Sequence, residues 1–338
     1  MNNPVPRHVL ILGARGRFGL AAAKAFAEGG WSVSAQVRPG SDVTAIPGIR
    51  WLPLGLDDAN AVTQTAKGAS VVLHALNPVF TDWEHKSLPL LDASLQIARR
   101  LGARLMMPGN VYNFGSRMPA LLSEDVPQRA DTRKGLVRMA LEQQLQQAAR
   151  DGDVRSVVVR AGEFFGSGRG LWFDRALVRG ITGGRMTYPG SLDVATAWAY
   201  LPDLARAFVR VADQFAKPGV AISPFDVFHF QGHSLTGGQW AGLLDVVAHE
   251  QRWLADDDEL RTATLPWQLI ELGSQVWPMW RELAEVRYMW QTPHALSGTK
   301  LAALIGPEPR TALRAALQAT LHELGLVGAP RCGLQAWA

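Results

Sequence analysis

A single cysteine, Cys332, stands near the end of this 338-residue chain. One thiol can form neither an intramolecular disulfide nor a cysteine-built metal site, which fits a reducing, cytoplasmic setting. Long apolar runs are missing as well. No window reaches the roughly 18 uninterrupted apolar residues of a membrane helix, so no membrane partner is expected. The opening MNNPVPRHVLILG lacks a charged segment, a long apolar core and a small-residue cleavage site, so no secretory leader is read there. Blocks of like charge are absent too. Lys and Arg number 34 against 30 Asp and Glu, a scattered excess of +4 that describes a solvated basic surface, not a nucleic-acid interface. The eight histidines show no pair at ligand spacing and no carboxylate cluster beside them, so no metal is expected. Without a G-x-S-x-G elbow, a serine hydrolase is excluded. The acidic run at 256–259 reads as a solvated loop or helix start.

What is present is an ordinary globular balance, 47% hydrophobic and 19% charged, in a chain long enough for one large domain or two lobes. Short β-branched runs (RHVLIL, WSVSAQV, IRWLPL, ASVVLHAL, ARLMM, VRSVVVR) alternate with helical stretches such as 88–100 and 134–150. This alternation predicts an α/β fold with a doubly wound parallel sheet. After Arg160 the pattern loosens into AGEFFGSGRG and GITGGRMTYPG, which resemble neither strands nor long helices. The last hundred residues read as mostly helical, including LPWQLIELGSQVWPMWRELAEVRYMW. The expected layout is a doubly wound α/β domain over 1–165, with 195–230 returning to it. A smaller, mainly helical substrate lobe would comprise 166–194 and 231–338. Trp240, Trp253, Trp267, Trp277, Trp280 and Trp290, with Met279 and Met289, read either as core between the lobes or as the roof of an apolar pocket.

The stretch LILGARGRFG carries the first chemical signal. Gly13, Gly16 and Gly19 follow an apolar strand and open a helix. Such a turn needs residues free of Cβ, both for its bend and for close approach of backbone to a pyrophosphate at the helix N-terminus. An NAD site usually places an acid about 20 residues on, to bind the ribose 2′-hydroxyl. Here Arg38 stands there, and Arg15 and Arg17 lie in the loop. Guanidinium groups suit a 2′-phosphate, so NADP is expected over NAD.

Together GARGRFG, SVVLHALNP, RLMMPGNVYNFG, VVVRAGEFFGSG, AYLPDLARAFVRVAD and VRYMWQTPHALSGTKLAALIGPEPRTALRAAL resemble, in order, the segments of the extended short-chain dehydrogenase/reductase family. That family includes NAD-dependent epimerases and dehydratases of sugar nucleotides. The resemblance implies that Gly13, Arg15, Gly16, Arg17, Phe18 and Gly19 form the cofactor loop. In this NAD(P)-binding Rossmann domain Ala75, Leu76 and Asn77 would line the ribose and diphosphate side, Pro108 would also contact the cofactor, and Ala161, Gly162 and Phe164 would sit near the nicotinamide. Asp57 or Asp58 would accept from the adenine amino group. It also implies a homodimer built on a four-helix bundle.

The catalytic positions depart from the family pattern. Four residues before Tyr112, where relatives carry Ser or Thr, stands Pro108, which has no hydroxyl. Anchored on Glu142, the family's Tyr-x-x-x-Lys becomes Lys134-x-x-x-Arg138. Lys134, its pKa lowered by burial beside Arg138, is the expected proton-exchanging group. Arg138 would keep the ribose contact. The alternative makes both solvent-facing cations on an amphipathic helix. Tyr112 is a second candidate acid, and Asn110 a candidate for orienting a substrate oxygen. Few cations sit where relatives bind a sugar-nucleotide diphosphate, Arg175, Arg179 and Arg185 excepted. The expected function is NADP-dependent hydride transfer on a small or apolar hydroxyl or carbonyl compound. A cofactor-binding sensor that has lost catalysis and a sugar-nucleotide epimerase or dehydratase are the alternatives.

Overall fold

The computed structural model describes residues 7–328 apart from 216, 218, 219 and 221. Cys332, with the redox reading attached to it, lies outside the described residues. Seven apolar runs assemble the central sheet: β1 (His8–Leu12), β2 (Ser32–Val37), β3 (Ile49–Pro53), β4 (Val71–His74), β5 (Arg104–Gly109), β6 (Ser156–Arg160) and β7 (Phe225–His229). All pairings are parallel, in the order β7-β6-β5-β4-β1-β2-β3. Unbroken burial along β4 and β6 is what a sheet covered on both faces demands.

Alternate residues of β1 serve opposite faces. Val9 and Ile11 join a core with Phe18 and Phe26 of α1 (Arg17–Glu28) and Phe208 of α5 (Leu201–Gln214). Leu10 and Leu12 join a second core with Leu91 and Leu95 of α3 (Trp83–Leu101) and Leu141 and Leu145 of α4 (Arg133–Arg150). The short helix α2 (Ala59–Thr65) closes that face with Val62. Each such side chain, fully buried, contributes roughly 1.5–3 kcal/mol of transfer free energy.

The strand order reverses between β1 and β4. In an open parallel sheet the crevice beyond the carboxyl ends at that point is where ligands bind. The loops after β1, β4, β5 and β6 all open there, and they carry the residues described next.

Beyond β6 the chain builds smaller sheets. Glu163–Phe165, Ala195–Tyr200 and His233–Thr236 form a three-stranded sheet in which Trp198 pairs with both Glu163 and His233. GITGGRMTYPG, expected to be irregular, holds the strand Arg185–Tyr188, which pairs with Arg261–Thr264. Leu121–Leu122 pairs with Ala295–Leu296.

A third core gathers Phe165, Phe173, Tyr188, Trp198, Trp240 and Trp290 with α6 (Gly237–Glu250) and α10 (Leu313–Glu323). The tryptophans divide: Trp240 and Trp290 are buried core, whereas Trp277 is exposed. Exposed too is Met279, in the hairpin of α7 (Trp267–Gly273) and α8 (Pro278–Glu285). The long helical run expected over this stretch breaks after Gly273, where any Cβ would strike the Trp280 ring, and restarts at Pro278. Helix α9 (Thr299–Ile305) packs back against α5 and β7. Among the described residues no helix is long and apolar enough to cross a membrane.

Candidate active site

Gly13 has φ +81°, and a Cβ there would sit 3.0 Å from the Ala75 carbonyl oxygen and from Leu76. A Cβ on Gly19 would lie 2.4 Å from the Gly13 carbonyl oxygen. Side chains are thus excluded where the chain turns from β1 into α1. Helix α1 begins with no side-chain cap and no acid in its first turn. Its first amides and the positive end of its dipole are left for an anion. Gln36 of β2 braces the loop from behind, accepting from the Gly13 N–H at 3.1 Å and donating to the Val37 and Leu54 carbonyls.

The remaining cofactor candidates take varied positions. Arg15 and Arg38 are both exposed. Arg17 turns elsewhere: its guanidinium donates to the Arg169 and Gly170 carbonyls, each at 2.7 Å. Phe18 packs edge-on against Phe208, 4.9 Å away, so it offers a ligand its backbone alone. Asp58 caps α2 by accepting from the Ala61 N–H, whereas the exposed Asp57 folds back toward Gly55. Ala75, Leu76 and Asn77 leave β4 beside the glycine turn, the Ala75 N–H still bonding the Leu12 carbonyl. Pro108 is half-buried within β5. Ala161 is fully buried. Gly162 is required by packing, since a Cβ would fall 2.2 Å from the Ala197 carbonyl oxygen. Phe164 is half-buried against the first core.

At the N-terminus of α4 the structure gives Lys134 a different occupation from proton exchange. Its side chain is 2% exposed, which also removes the solvent-facing alternative. The ammonium pairs with Glu282 of α8, donates to the Phe80 carbonyl at 3.1 Å and lies 4.0 Å over the Phe80 ring. The backbone N–H of Lys134 donates to Glu285, and Arg133 bridges Glu84, Glu282 and Glu285. Paired with a buried carboxylate, this cation docks α8 against the start of α4.

Arg138, one turn on, stacks on Trp83 with its guanidinium 4.4 Å from the ring. Burial lowers its pKa to about 10, still far above any working pH. Its Nε is buried with no partner among the described residues. His74, at the end of β4, bonds Ser94 through Nδ1 at 2.8 Å. Burial and the nearby Arg138 push its pKa down to about 3. His74 therefore stays neutral.

The turn after β5 is pinned by a buried network. Glu142 takes two bonds from Arg160, at 2.9 and 2.5 Å, and one from Asn113 at 2.9 Å. His229, held neutral by a pKa of about 4, donates to the Leu122 carbonyl from one ring nitrogen and meets Arg160 with the other. Asn110 spends its Oδ1 on the Tyr112 N–H at 3.1 Å, so it shapes the turn. The result presents Tyr112, 6% exposed, with its hydroxyl 3.5 Å from Glu163 Oε1.

With this geometry the chain can be set against known proteins. Residues 9–222 match the NAD dependent epimerase/dehydratase family. The chain belongs to that family. No curated protein matches it in sequence. Among solved structures it is similar to a candidate epimerase from Burkholderia cenocepacia J2315, at 18% identity and TM-score 0.70, covering 95% of this chain and 98% of that one. MoeE5 in complex with UDP-glucuronic acid and NAD is also similar, at 18% identity and TM-score 0.69, covering 94% and 99%. So is the UDP-glucose 4-epimerase of Thermotoga maritima with UDP-glucose, at 15% identity and TM-score 0.70, covering 94% and 98%. At these identities the likeness shows the fold.

One polar group of this epimerase/dehydratase chain escaped the sequence reading. Glu163 opens the strand after β6, and burial raises its carboxyl pKa to about 7 although the Tyr112 hydrogen bond opposes the shift. The signal was legible: a lone acid between Arg160 and Phe165 in an otherwise apolar run. The motif directed attention to its neighbours Ala161, Gly162 and Phe164 instead. Arg175, Arg179 and Arg185 are all exposed. Among the described residues no group of three or more His, Cys, Asp or Glu could hold a metal.

Proposed function

We propose that this chain is an oxidoreductase of epimerase/dehydratase type that moves a hydride between a pyridine dinucleotide and a carbon bearing a hydroxyl or carbonyl group. The observation that carries the reading is the glycine turn at β1–α1, where a Cβ at Gly13 or Gly19 would meet backbone and the helix start is uncapped. The residues present fit the group: the first amides of α1 hold the diphosphate, and Ala75 to Asn77 flank it. When bound, the dinucleotide supplies or accepts the hydride. Arg15 and Arg38, both exposed, with Arg38 rather than an acid directly after β2, favour NADP. Substrate contact falls to the aromatic cluster of Phe80, Trp83 and Tyr112. Rings there are close-set, Phe80 and Trp83 at 5.4 Å and Trp83 and Tyr112 at 6.1 Å, which suits a small or apolar substrate. Tyr112, whose phenol burial and Glu163 hold well above 10, keeps its proton and donates a hydrogen bond.

Calorimetric titration with NADP and NADPH is the test, followed by transfer of deuteride from 4-deuterated NADPH to a panel of aromatic and aliphatic aldehydes and ketones. Absence of binding to either form ends the reading. Binding with no stereospecific transfer would favour a sensor. A second reading rests on the titles of two neighbours, which name UDP-glucuronic acid and UDP-glucose. Saturable binding of UDP-glucose to the NADP-loaded protein would establish a sugar nucleotide as substrate class.

A further inference from the structure

Three residues, Pro108, Lys134 and Arg138, stand at the family's proton-handling positions, Tyr112 is a further candidate, and each is otherwise committed. Pro108 has no hydroxyl, and Lys134 is paired with Glu282. Arg138 stays charged at any working pH, and Tyr112 stays protonated. Hydride transfer to a carbonyl carbon nevertheless needs a proton for the oxygen, from a group whose proton affinity lies near the working pH.

We infer that Glu163, held by the Tyr112 hydroxyl, is the proton-transfer group of this site. This rests on the hydride-transfer reading above. In the reductive direction the carbonyl carbon gains a hydride, with its two electrons, from the reduced dinucleotide, which leaves oxidised. The C=O π bond opens, the oxygen takes the carboxyl proton to form an O–H bond, and Glu163 is left as carboxylate. In the oxidative direction Glu163 carboxylate takes the hydroxyl proton while the carbon gives up its hydride.

Placement carries the argument. Glu163 lies three residues beyond the end of β6, at the carboxyl edge of the sheet where the glycine turn also opens. The chain has four tyrosines, and three of them, Tyr112, Tyr188 and Tyr288, lie within electrostatic reach of this one carboxyl. They come from the turn after β5, the strand 185–188 and the turn 287–290, and Arg138 of α4 faces the group through Tyr112. Among the described residues no Lys, Arg or His bonds Glu163, so nothing holds it as a permanent anion, and burial sets its pKa at about 7. Near it one buried polar atom, Arg138 Nε, has no partner among the described residues. A buried donor left unmet beside a titratable carboxyl is what a polar ligand atom completes.

The test uses the full chain loaded with NADP. In Glu163→Gln, calorimetric affinity for NADP should stay within about twofold of the wild type, while the rate of deuteride transfer falls about a hundredfold or more. Glu163→Asp should restore part of the rate, and Tyr112→Phe should move the near-neutral limb of the pH profile. Infrared difference spectra across pH supply a readout independent of turnover. An acid C=O band titrating near neutrality should be present in the wild type and missing in Glu163→Gln. A wild-type rate in Glu163→Gln with an unaltered pH profile overturns the inference. So does a carboxyl already ionised at about pH 5, near its ordinary value. With a panel that gives no turnover, the infrared titration decides alone. Failure of NADP to bind the wild type strikes the parent reading, whereas normal binding with no titrating band strikes Glu163 only.

Discussion

The glycine turn and the start of α4 lie at the same edge of the sheet and have opposite relations to the family pattern. At the turn, function rests on missing atoms: Gly13 and Gly19 fit because a Cβ would strike backbone. At α4, function in relatives rests on particular side chains, and here those positions are filled by Lys134 and Arg138. Backbone-built sites tolerate no substitution and so stay recognisable. Side-chain sites can be rewired as long as the new charges find partners. Lys134 found Glu282, and Arg138 found the face of Trp83.

The sharpest way to break this contrast is to remove a partner. Glu282→Ala leaves the buried Lys134 ammonium unpaired and should cost about 3–5 kcal/mol in chemical denaturation. Lys134→Met combined with Glu282→Leu, which removes both charges, should recover most of that loss. If the double variant is as unstable as the single, the pair is not the docking element described. At the other region Gly13→Val, forced to φ +81° against Ala75, should weaken NADP binding by about a hundredfold or more, near 3 kcal/mol, in fluorescence titration. Retained affinity would show that the turn is not the cradle.

Protonation gives a third measure. Glu163 binds its proton more tightly folded than unfolded, so between its ordinary value of 4.5 and about 7 the folded state holds more protons, and stability falls as pH rises through that window. Glu163→Gln should therefore be neutral at about pH 4 and stabilising at about pH 8, by roughly 2 kcal/mol once partial exposure is discounted. His74 and His229 act in the opposite sense. Their folded values of about 3 and about 4 lie below 6.5, so stability is lost as pH falls below 6.5. The smallest effect belongs to the ribose end: Arg38→Ala should weaken NADP about tenfold and leave NAD unchanged, read by paired calorimetric titrations.

Sequence reading reached whatever local chemistry governs. The strand runs, the glycine turn and helices near 88–100 and 134–150 were legible because periodicity and missing Cβ atoms act over a few residues. The fate of Lys134 was not, because its partner Glu282 lies 148 residues downstream. Gly162 was noticed for a reason other than its own, the approach of Ala197. Arg17 lies in the cofactor loop in sequence but turns to the 169–170 carbonyls in space. Glu163 was passed over because a strand register, not a motif, sets it opposite Trp198 and beside Tyr112.

The two bonds from Arg17 have a mechanical meaning. They fasten the first residue of α1 to a segment only six residues beyond Glu163, and Glu323 of α10 grips the Ser167 N–H in between. A displacement of the helix start is therefore transmitted to the 167–170 segment. For the proposed oxidoreductase, such a coupling predicts compulsory order, the dinucleotide entering first and leaving last, read from product-inhibition patterns.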